Sequence, residues 1–433
     1  MDKTKLTFIV VVVAVAVIAG VIWLINPFKE AKPAEATLEF WSVFDDSDVF
    51  DPLIAKYKEQ NPQITINYHK KNISSYEQDL IDALAAGRGP DIFSIHNTWL
   101  PKHEDKLAVA PETLITPARF GEVFVDVAAQ DFIDGGKVYA LPLSVDTLAL
   151  FYNKDLLNSA SIVSPPQTWT EFNSAVEKLT RRDSKNNILQ SGAALGTAKN
   201  INRATDVLMA LMLQSGVKMV NDDKSYASFD QLVSSDSGGF NPGLQALIFY
   251  TNFASPGLKV YTWNQYQSYS IDAFVEGKTA MMINYAYQLP TIEAKSAHLN
   301  MAVAVLPQIS RTSKKITFAN YWGQAVSKSS VNQGEAWKFL SWLASQEVSR
   351  EYLKTTKKPT ARRDLIEEQK KDSKLSVFAE QALYAKSWWE IDNLAIDTIF
   401  SDMIEAVNFG RQTPENALRQ ASSQTTLLLR KRL

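Results

Sequence analysis

Two patterns of apolar and polar positions divide the chain. Leu6 to Ile25 is a run of 20 residues in which only Thr7 is polar. As a helix it would extend about 30 Å, enough to cross a hydrocarbon core. Lys3 and Lys5 precede it and Trp23 stands near its far end, so the rest of the chain is expected on the outer side. From Leu38 onward the run gives way to alternation. Leu38-Glu39-Phe40-Trp41 predicts a strand, and Ile64, Ile66 and Tyr68 predict a second. Between them Asp45, Asp46, Ser47 and Asp48 offer N-caps to a helix with Phe50, Leu53, Ile54 and Tyr57 on one face. Ser74 to Gln78 fits a capping box before a helix containing Leu80 and Leu84, which Gly87 can stop. Asp91-Ile92-Phe93-Ser94-Ile95 predicts a third strand. Strands and helices alternating at this spacing predict a mostly parallel sheet.

The alternation continues. Val138 to Leu150 is apolar and extended, broken by Pro142. Thr168-Trp169-Thr170-Glu171 is a capping box before Phe172, Val176 and Leu179. Ile271 to Glu276 predicts a short helix leading to the strand Ala280 to Ile283, and Met301 to Leu306 predicts another strand. Ala336, Phe339, Leu340 and Leu343 mark an amphipathic helix stopped at Lys357-Lys358-Pro359, and Thr360 to Leu433 is expected to be largely helical. No repeat of 20–50 residues is evident.

Composition narrows the function. Lys and Arg total 45 against 47 Asp and Glu, a net charge of −2 that gives no electrostatic case for nucleic-acid binding. The absence of Cys rules out disulfides, a Cys nucleophile, thiolate zinc sites and iron–sulfur clusters. Several apparent motifs dissolve. Gly277-Lys278-Thr279 mimics the end of a phosphate loop, but Asp272 stands where the first Gly is required, and a helix precedes it. Asp45 to Asp48 lacks the Gly and distal Glu of a calcium loop. Four scattered His without His-Glu-x-x-His argue against a zinc hydrolase. These failures leave no metal or cofactor motif in the sequence.

Six segments in order carry a resemblance. They are Phe40-Trp41-Ser42; Ala85 to Phe93, with Gly87, Pro90, Asp91 and Ile92; Val138 to Asp146 followed by Leu150 to Leu156; Pro165 to Phe172; Phe274 to Asn284; and Asn320 to Ser327, followed by the helix through Ala336 to Leu340. Over residues 37–360 the chain resembles the extracellular solute-binding proteins of ABC importers, in their carbohydrate-binding, maltose-binding-protein-like group. The resemblance implies an α/β, two-lobed periplasmic-binding-protein-like fold of type II. Each lobe would be a mostly parallel sheet flanked by helices, and one transmembrane helix would precede them. The expected organisation is a cytoplasmic stub at 1–5, a transmembrane signal anchor at 6–25 and a tether at 26–37. Lobe 1 would be 38–143 with 308–355, and lobe 2 would be 144–307 with 356–433. Ala34-Glu35-Ala36 could serve as a cleavage site, leaving secretion as the alternative to anchoring. Many relatives are held by a lipidated Cys, an anchor this chain cannot form.

Sugars present apolar faces and many hydroxyls, so a sugar site needs rings to stack and fixed polar groups to orient. Residues beyond the carboxyl ends of strands are the candidates. They are Trp41, Ser42, Asn97 and Trp99 after the first and third strands, and Asn284, Tyr285 and Tyr287 after the Met-rich strand. Tyr321, Trp322 and Gly323 follow in the loop expected to face the cleft, with Trp388 and Trp389 in the C-terminal region. By resemblance, Asp146 would accept sugar hydroxyls and Tyr152 would stack. Each ring also has a reading as core: Trp41 and Trp99 closing a sheet edge, Tyr152 at the hinge, Trp388 and Trp389 inside a helical core. His96 reads more readily as a surface or cap residue than as a contact.

The implied function is capture of a sugar or oligosaccharide between the lobes and delivery to the permease of an ABC importer by hinge closure, at the extracytoplasmic face of the membrane, without catalysis. Alternatives are a ferric or other non-sugar binder, a sensory receptor component, or a glycoside hydrolase. Tyr285 and Tyr287 lack the adjacent spacing usual for ferric ligands.

Overall fold

A computed structural model describes residues 35–235 and 238–430, with residues 2, 13–15 and 17. The anchor expected at 6–25 lies outside the described residues apart from 13–15 and 17. Among the described residues no helix is long and apolar enough to cross a membrane.

Alternation builds the first sheet. Strand β1 (Ala36–Ser42) buries Leu38, Phe40 and Ser42 and turns Glu39 and Trp41 to its other face. Helix α1 (Ser47–Gln60) buries Phe50, Leu53 and Tyr57 at helical spacing. Strand β2 (Ile64–Lys70) buries Ile64 and Ile66, and α2 (Tyr76–Ala85) buries Tyr76 and Leu80. Gly87 ends α2 at a φ of +66°, a left-handed turn that favours glycine. Strand β3 (Ile92–His96) is buried along its whole length. Helix α3 (Asp126–Phe132) leads through the hairpin at 133–138 to β4 (Ala140–Pro142).

The second lobe begins after a short crossing strand, β5 (Asp146–Thr147), with β6 (Ala149–Asn153). Helix α4 (Trp169–Leu179) starts on the capping box: Thr168 Oγ1 accepts from the Glu171 amide, and Glu171 accepts from the Gln167 amide. Helices α5 (Ala204–Gln214) and α6 (Pro242–Asn252) follow, then β7 (Met281–Asn284) and β8 (Met301–Ala304). The chain crosses back through β9 (Thr317–Asn320) into β10 (Trp322–Val326). The single amphipathic helix expected around 336–356 is two, α7 (Gln333–Leu343) and α8 (Gln346–Thr356), separated by an extended Ser345. The apolar spacing of the two pieces continues across the break, so periodicity alone could not show it. Strand β11 (Ala385–Lys386) precedes α9 (Asn393–Asn408) and α10 (Pro414–Arg430).

Three small sheets organise these pieces. The first has the order β2-β1-β3-β10-β4; β2, β1 and β3 pair in parallel, and β10 runs antiparallel to both neighbours. The second is β7-β6-β8, with both pairings antiparallel. A mostly parallel sheet was expected in each lobe; the second departs from it. Close strand–helix alternation fixes parallel pairing only between residues 38 and 96, whereas residues 154–280, mostly helix and loop, separate β6 from β7. The third sheet, β11-β9-β5, is the hinge, where three passages of the chain lie side by side.

Two separate cores flank that hinge. One gathers Leu38 to Val145 with Ala325, Phe339 and Tyr352. The other gathers Leu148 to Leu306 with Phe378, Trp388, Phe400 and Leu418. Residues 361–385 serve both: Ala361, Leu365 and Ile366 pack in the first core and Leu375 and Phe378 in the second.

Candidate functional site

The carboxyl ends of β1, β3 and β7, the first residue of β10, the start of α5 and the passage 387–392 converge beside the hinge. On the first lobe Trp322 is the organising ring. It meets Phe44 at 5.6 Å, His96 at 5.3 Å and Trp99 at 5.1 Å, all edge-on, and Tyr76 at 6.0 Å. Phe44 is 51% exposed and Trp322 half-buried, so this cluster presents rings to solvent, whereas Trp99 is buried. Burial pushes the His96 imidazole down to about 3, and its Nδ1 lies 2.8 Å from Thr98 Oγ1, so the ring is neutral and fixed.

On the second lobe Tyr285 and Tyr287 stack at 5.8 Å. Tyr285 is buried and donates to Asp206 Oδ2 at 2.5 Å. Tyr287 is 47% exposed, offering a ring face backed by its neighbour. Arg203 precedes α5 with a φ of +61°, a left-handed conformation unusual for Arg. That turn aims its guanidinium at Asp206 Oδ2, at 2.9 Å from Nε and 2.6 Å from Nη2, and over the Tyr285 ring at 5.4 Å. The Arg203 charge also opposes protonation of His96, which ties the two lobes electrostatically.

Asp146 has a different place from the one its resemblance implied. Its carboxylate accepts the amides of Thr147 at 2.8 Å, Ala286 at 2.9 Å and Tyr287 at 2.9 Å. It thereby clamps hinge strand β5 to the turn that carries Tyr287. Burial raises the carboxyl to about 7, against the pull of these three amides.

The remaining candidates separate. Ser42 is buried in a chain of hydroxyls, 2.9 Å from Ser94, which bonds Gln324. Asn97 and Tyr321 both donate to the buried Asp131, at 2.9 and 2.8 Å. Gly323 packs against the Phe132 ring, where a Cβ would lie 2.6 Å from it. Asn284 is buried at the end of β7 and accepts from the Tyr285 amide. Trp41 is half-buried with Lys71 Nζ 3.5 Å over its ring. Tyr152 lies opposite Met281 and Ala302, whereas Asn284 pairs with Ala149 at the other end of β6. That is three residues, about 10 Å, along the strand, so Tyr152 is not brought to the cluster. Trp388 is core, its Nε1 donating to Met209 Sδ and its ring against Phe400. Trp389 is half-buried under Lys224 Nζ at 3.5 Å.

Sequence reasoning missed Phe44 and Arg203. Phe44 had a usable signal, two residues beyond the end of β1. Arg203 had none, because a left-handed turn at Arg is not written in composition.

Contacts also bridge the lobes. Lys102 donates to Glu77 on its own lobe and to Asp392 on the other, both at 2.8 Å. Trp99 Nε1 donates to Asn393 at 3.1 Å. Lys224, over Trp389, reaches Asp134 of the 133–138 hairpin at 3.5 Å.

Comparison with known proteins gives one family. The model for "Bacterial extracellular solute-binding protein" matches residues 42–349. A binding protein of Brucella abortus is 24% identical over 393 residues, 88% of this chain and 90% of the relative. The crystal structure of an ABC transporter solute-binding protein of Thermotoga lettingae, bound with alpha-D-tagatose, is 25% identical. It superposes with a TM-score of 0.71 over 91% of this chain and 99% of that one. The sugar-binding protein MalE of Xanthomonas citri is 21% identical, with a TM-score of 0.75 over 92% and 98%.

Proposed function

The chain belongs to the bacterial extracellular solute-binding protein family, and on that premise we propose that it captures a saccharide between its lobes and presents the closed form to an ABC importer. Like the family, it binds and does no chemistry on its ligand. The observation that carries the reading is an exposed aromatic set on each lobe. Phe44 and Trp322 cluster on one, and Tyr287, backed by Tyr285, lies half-exposed on the other, with Arg203 and Asp206 as fixed polar groups against Tyr285. Rings stack on the apolar faces of a sugar while fixed polar groups select its hydroxyls. The relatives bound to tagatose or named for sugar binding support the same class.

The lobes proposed are 38–143 with 308–355, and 144–307 with 356–433, supported by the two cores. The packing of Ala361, Leu365 and Ile366 in the first core draws the last boundary toward the hinge strand at Ala385. A saccharide touching both sets favours the closed arrangement by its differential affinity, and closure follows by rotation about β5, β9 and β11. We further propose that residues 6–25 anchor the protein at the outer face of the membrane, a reading supported by the length of the run, by Lys3 and Lys5 and by the lack of a Cys for lipidation.

The test is solution scattering on the protein without residues 1–34, against a panel of neutral mono- and oligosaccharides selected by thermal shift. A saccharide that raises the thermal midpoint is expected to lower the radius of gyration. No saccharide raising the midpoint, or binding with an unchanged radius of gyration, refutes the reading.

A further inference from the structure

Two exposed rings on opposite lobes, Phe44 and Tyr287, are held from one stretch of the hinge. Phe44 sits in the short loop between β1 and α1, its ring edge-on to Trp322 at 5.6 Å. An exposed ring serves a ligand best when the backbone beneath it is already fixed, because ordering it on binding costs part of the affinity. The usual local device does not operate here. Asp46 stands at the N-cap of α1, but its side chain makes no cap hydrogen bond.

Asp45 fixes the loop instead, from three sides. Its backbone carbonyl accepts from the Tyr68 hydroxyl of β2 at 2.5 Å. Its Oδ2 accepts from the Tyr352 hydroxyl of α8 at 2.7 Å, and its Oδ1 from Lys358 Nζ at 2.5 Å. Lys358 Nζ also donates to the Tyr352 hydroxyl at 3.1 Å, so the three groups close on one another. The pair is largely shielded, the Asp45 side chain 12% exposed and that of Lys358 28%, and a shielded pair is screened little by salt. Tyr68 and Tyr352 are seated on the Phe50 ring of the first core, at 4.6 and 6.0 Å.

Lys358 leads from this clamp to the hinge. Lys357 ends α8 with a left-handed φ of +54°, which turns the chain out of the helix. Gln369 holds the segment that follows: its Nε2 donates to the Lys358 carbonyl at 2.8 Å and its Oε1 accepts from the Thr360 amide at 2.7 Å. The Pro359 carbonyl accepts from the Val145 amide at 3.1 Å, and Thr360 bridges Ser144. The next residue along the hinge is Asp146, whose carboxylate clamps the turn that carries Tyr287. A continuous path of covalent and hydrogen bonds therefore runs from the Phe44 loop, through Asp45, Lys358, Pro359 and Val145, to Tyr287.

We propose that Lys358 is a positioning residue for saccharide binding: its ion pair with Asp45 seats the Phe44 ring against the hinge passage that also holds Tyr287. This rests on the saccharide reading above. Lys358 acts through Phe44 and makes no contact with the ligand itself.

The experiment is a double-mutant cycle read by calorimetry, with the neutral saccharide that binds best in the thermal-shift panel. Phe44→Ala is expected to weaken binding. Lys358→Met removes the ammonium and keeps the length of the side chain. It is expected to bind that saccharide about fivefold more weakly than the wild type, the cost of ordering one loosened ring on binding. In the Phe44→Ala background no ring remains to be seated, and adding Lys358→Met should then change the affinity by less than about twofold. A residue that only supported the fold would lower the apo thermal midpoint and leave both affinities alone. A residue that touched the ligand would cost the same in both backgrounds. Asp45→Asn loses the charge and keeps an oxygen for Tyr352; it runs through the same cycle with the same expectations and replaces Lys358→Met if that variant does not fold. Wild-type affinity in the folded positioning variant or in Phe44→Ala overturns the inference, as does an undiminished loss in the Phe44→Ala background. Each of these results leaves the saccharide reading intact, whereas no binding by any saccharide refutes that reading and this inference together.

Discussion

Asp146→Ala separates a residue kept for the ligand from one kept for the fold. Truncation leaves the amides of Thr147, Ala286 and Tyr287 without their acceptor. Stripping a buried donor of its partner costs about 1–3 kcal/mol, so three cost roughly 6 kcal/mol. Against this, the variant escapes the strain of a buried carboxylate. The carboxyl sits at about 7 in the fold, about three pH units above its value near 3.9 in an unfolded chain, equivalent to about 4 kcal/mol. The net loss expected at pH 7.5 is about 2 kcal/mol, or about 5 °C in the apo thermal midpoint. The sign with pH follows from the raised value. In the wild type this group's contribution is full below about 3.9 and is lost as pH rises through about 7. Acidification to pH 5 therefore helps the wild type and not the variant, and the deficit should grow by about 2 kcal/mol. Differential scanning calorimetry of the apo proteins at both pH values measures it. Saccharide affinity should fall as well, because the turn that carries Tyr287 loses its clamp. An apo midpoint within 1 °C of wild type at both pH values, with only binding impaired, would refute this reasoning and return Asp146 to the ligand-contact role its sequence context implied.

Tyr287→Ala is the complementary case: an exposed ring is expected to weaken saccharide binding at least tenfold by calorimetry while the apo midpoint moves by no more than about 2 °C. Glu77→Gln probes the Lys102 and His103 pair. Burial opposes its charge, but their hydrogen bonds prevail and hold the carboxyl down to about 2. Discounted for its partial exposure, the stability it contributes, about 2 kcal/mol, is present above about 4.3 and lost as pH falls through about 2. Acid unfolding followed by circular dichroism should accordingly show a flatter profile for the variant over that window. Gly323→Ala, whose Cβ would meet the Phe132 ring at 2.6 Å, should destabilise by about 1–3 kcal/mol in urea titration.

The first sheet was legible in the sequence because β1, β2 and β3 carry their own signals, alternation in two and an unbroken apolar run in the third. Thr168 and Gly87 likewise announced a helix start and stop through local chemistry. The candidate site was legible only in part. Tyr287 follows the Met-rich strand and was singled out on that basis, whereas Trp322 was expected in a loop and is instead the first residue of β10. Trp99 and Trp388 have the same composition as ligand-stacking rings, and only their neighbours, Tyr76 and Trp322 for one and Met209 and Phe400 for the other, make them core. Asp146 was noticed for its position, but its partners Ala286 and Tyr287 lie about 140 residues away. Arg203 acquires a role only in the fold, where its left-handed turn sets it against Asp206 and Tyr285.

The position of β10 sets the order in which the molecule can be made. It lies between β3 and β4 in the first sheet, yet it is residues 322–326 of 433. Until that stretch has left the ribosome, β3 and β4 have no strand between them and the first lobe keeps unpaired edges. The second core waits longer still, for Phe400 and Leu418. Neither half can close on itself while the N-terminal part is being synthesised, and pairings this distant in sequence form slowly. A nascent chain that stays open in this way is suited to being threaded, unfolded, through a secretion channel before it folds outside.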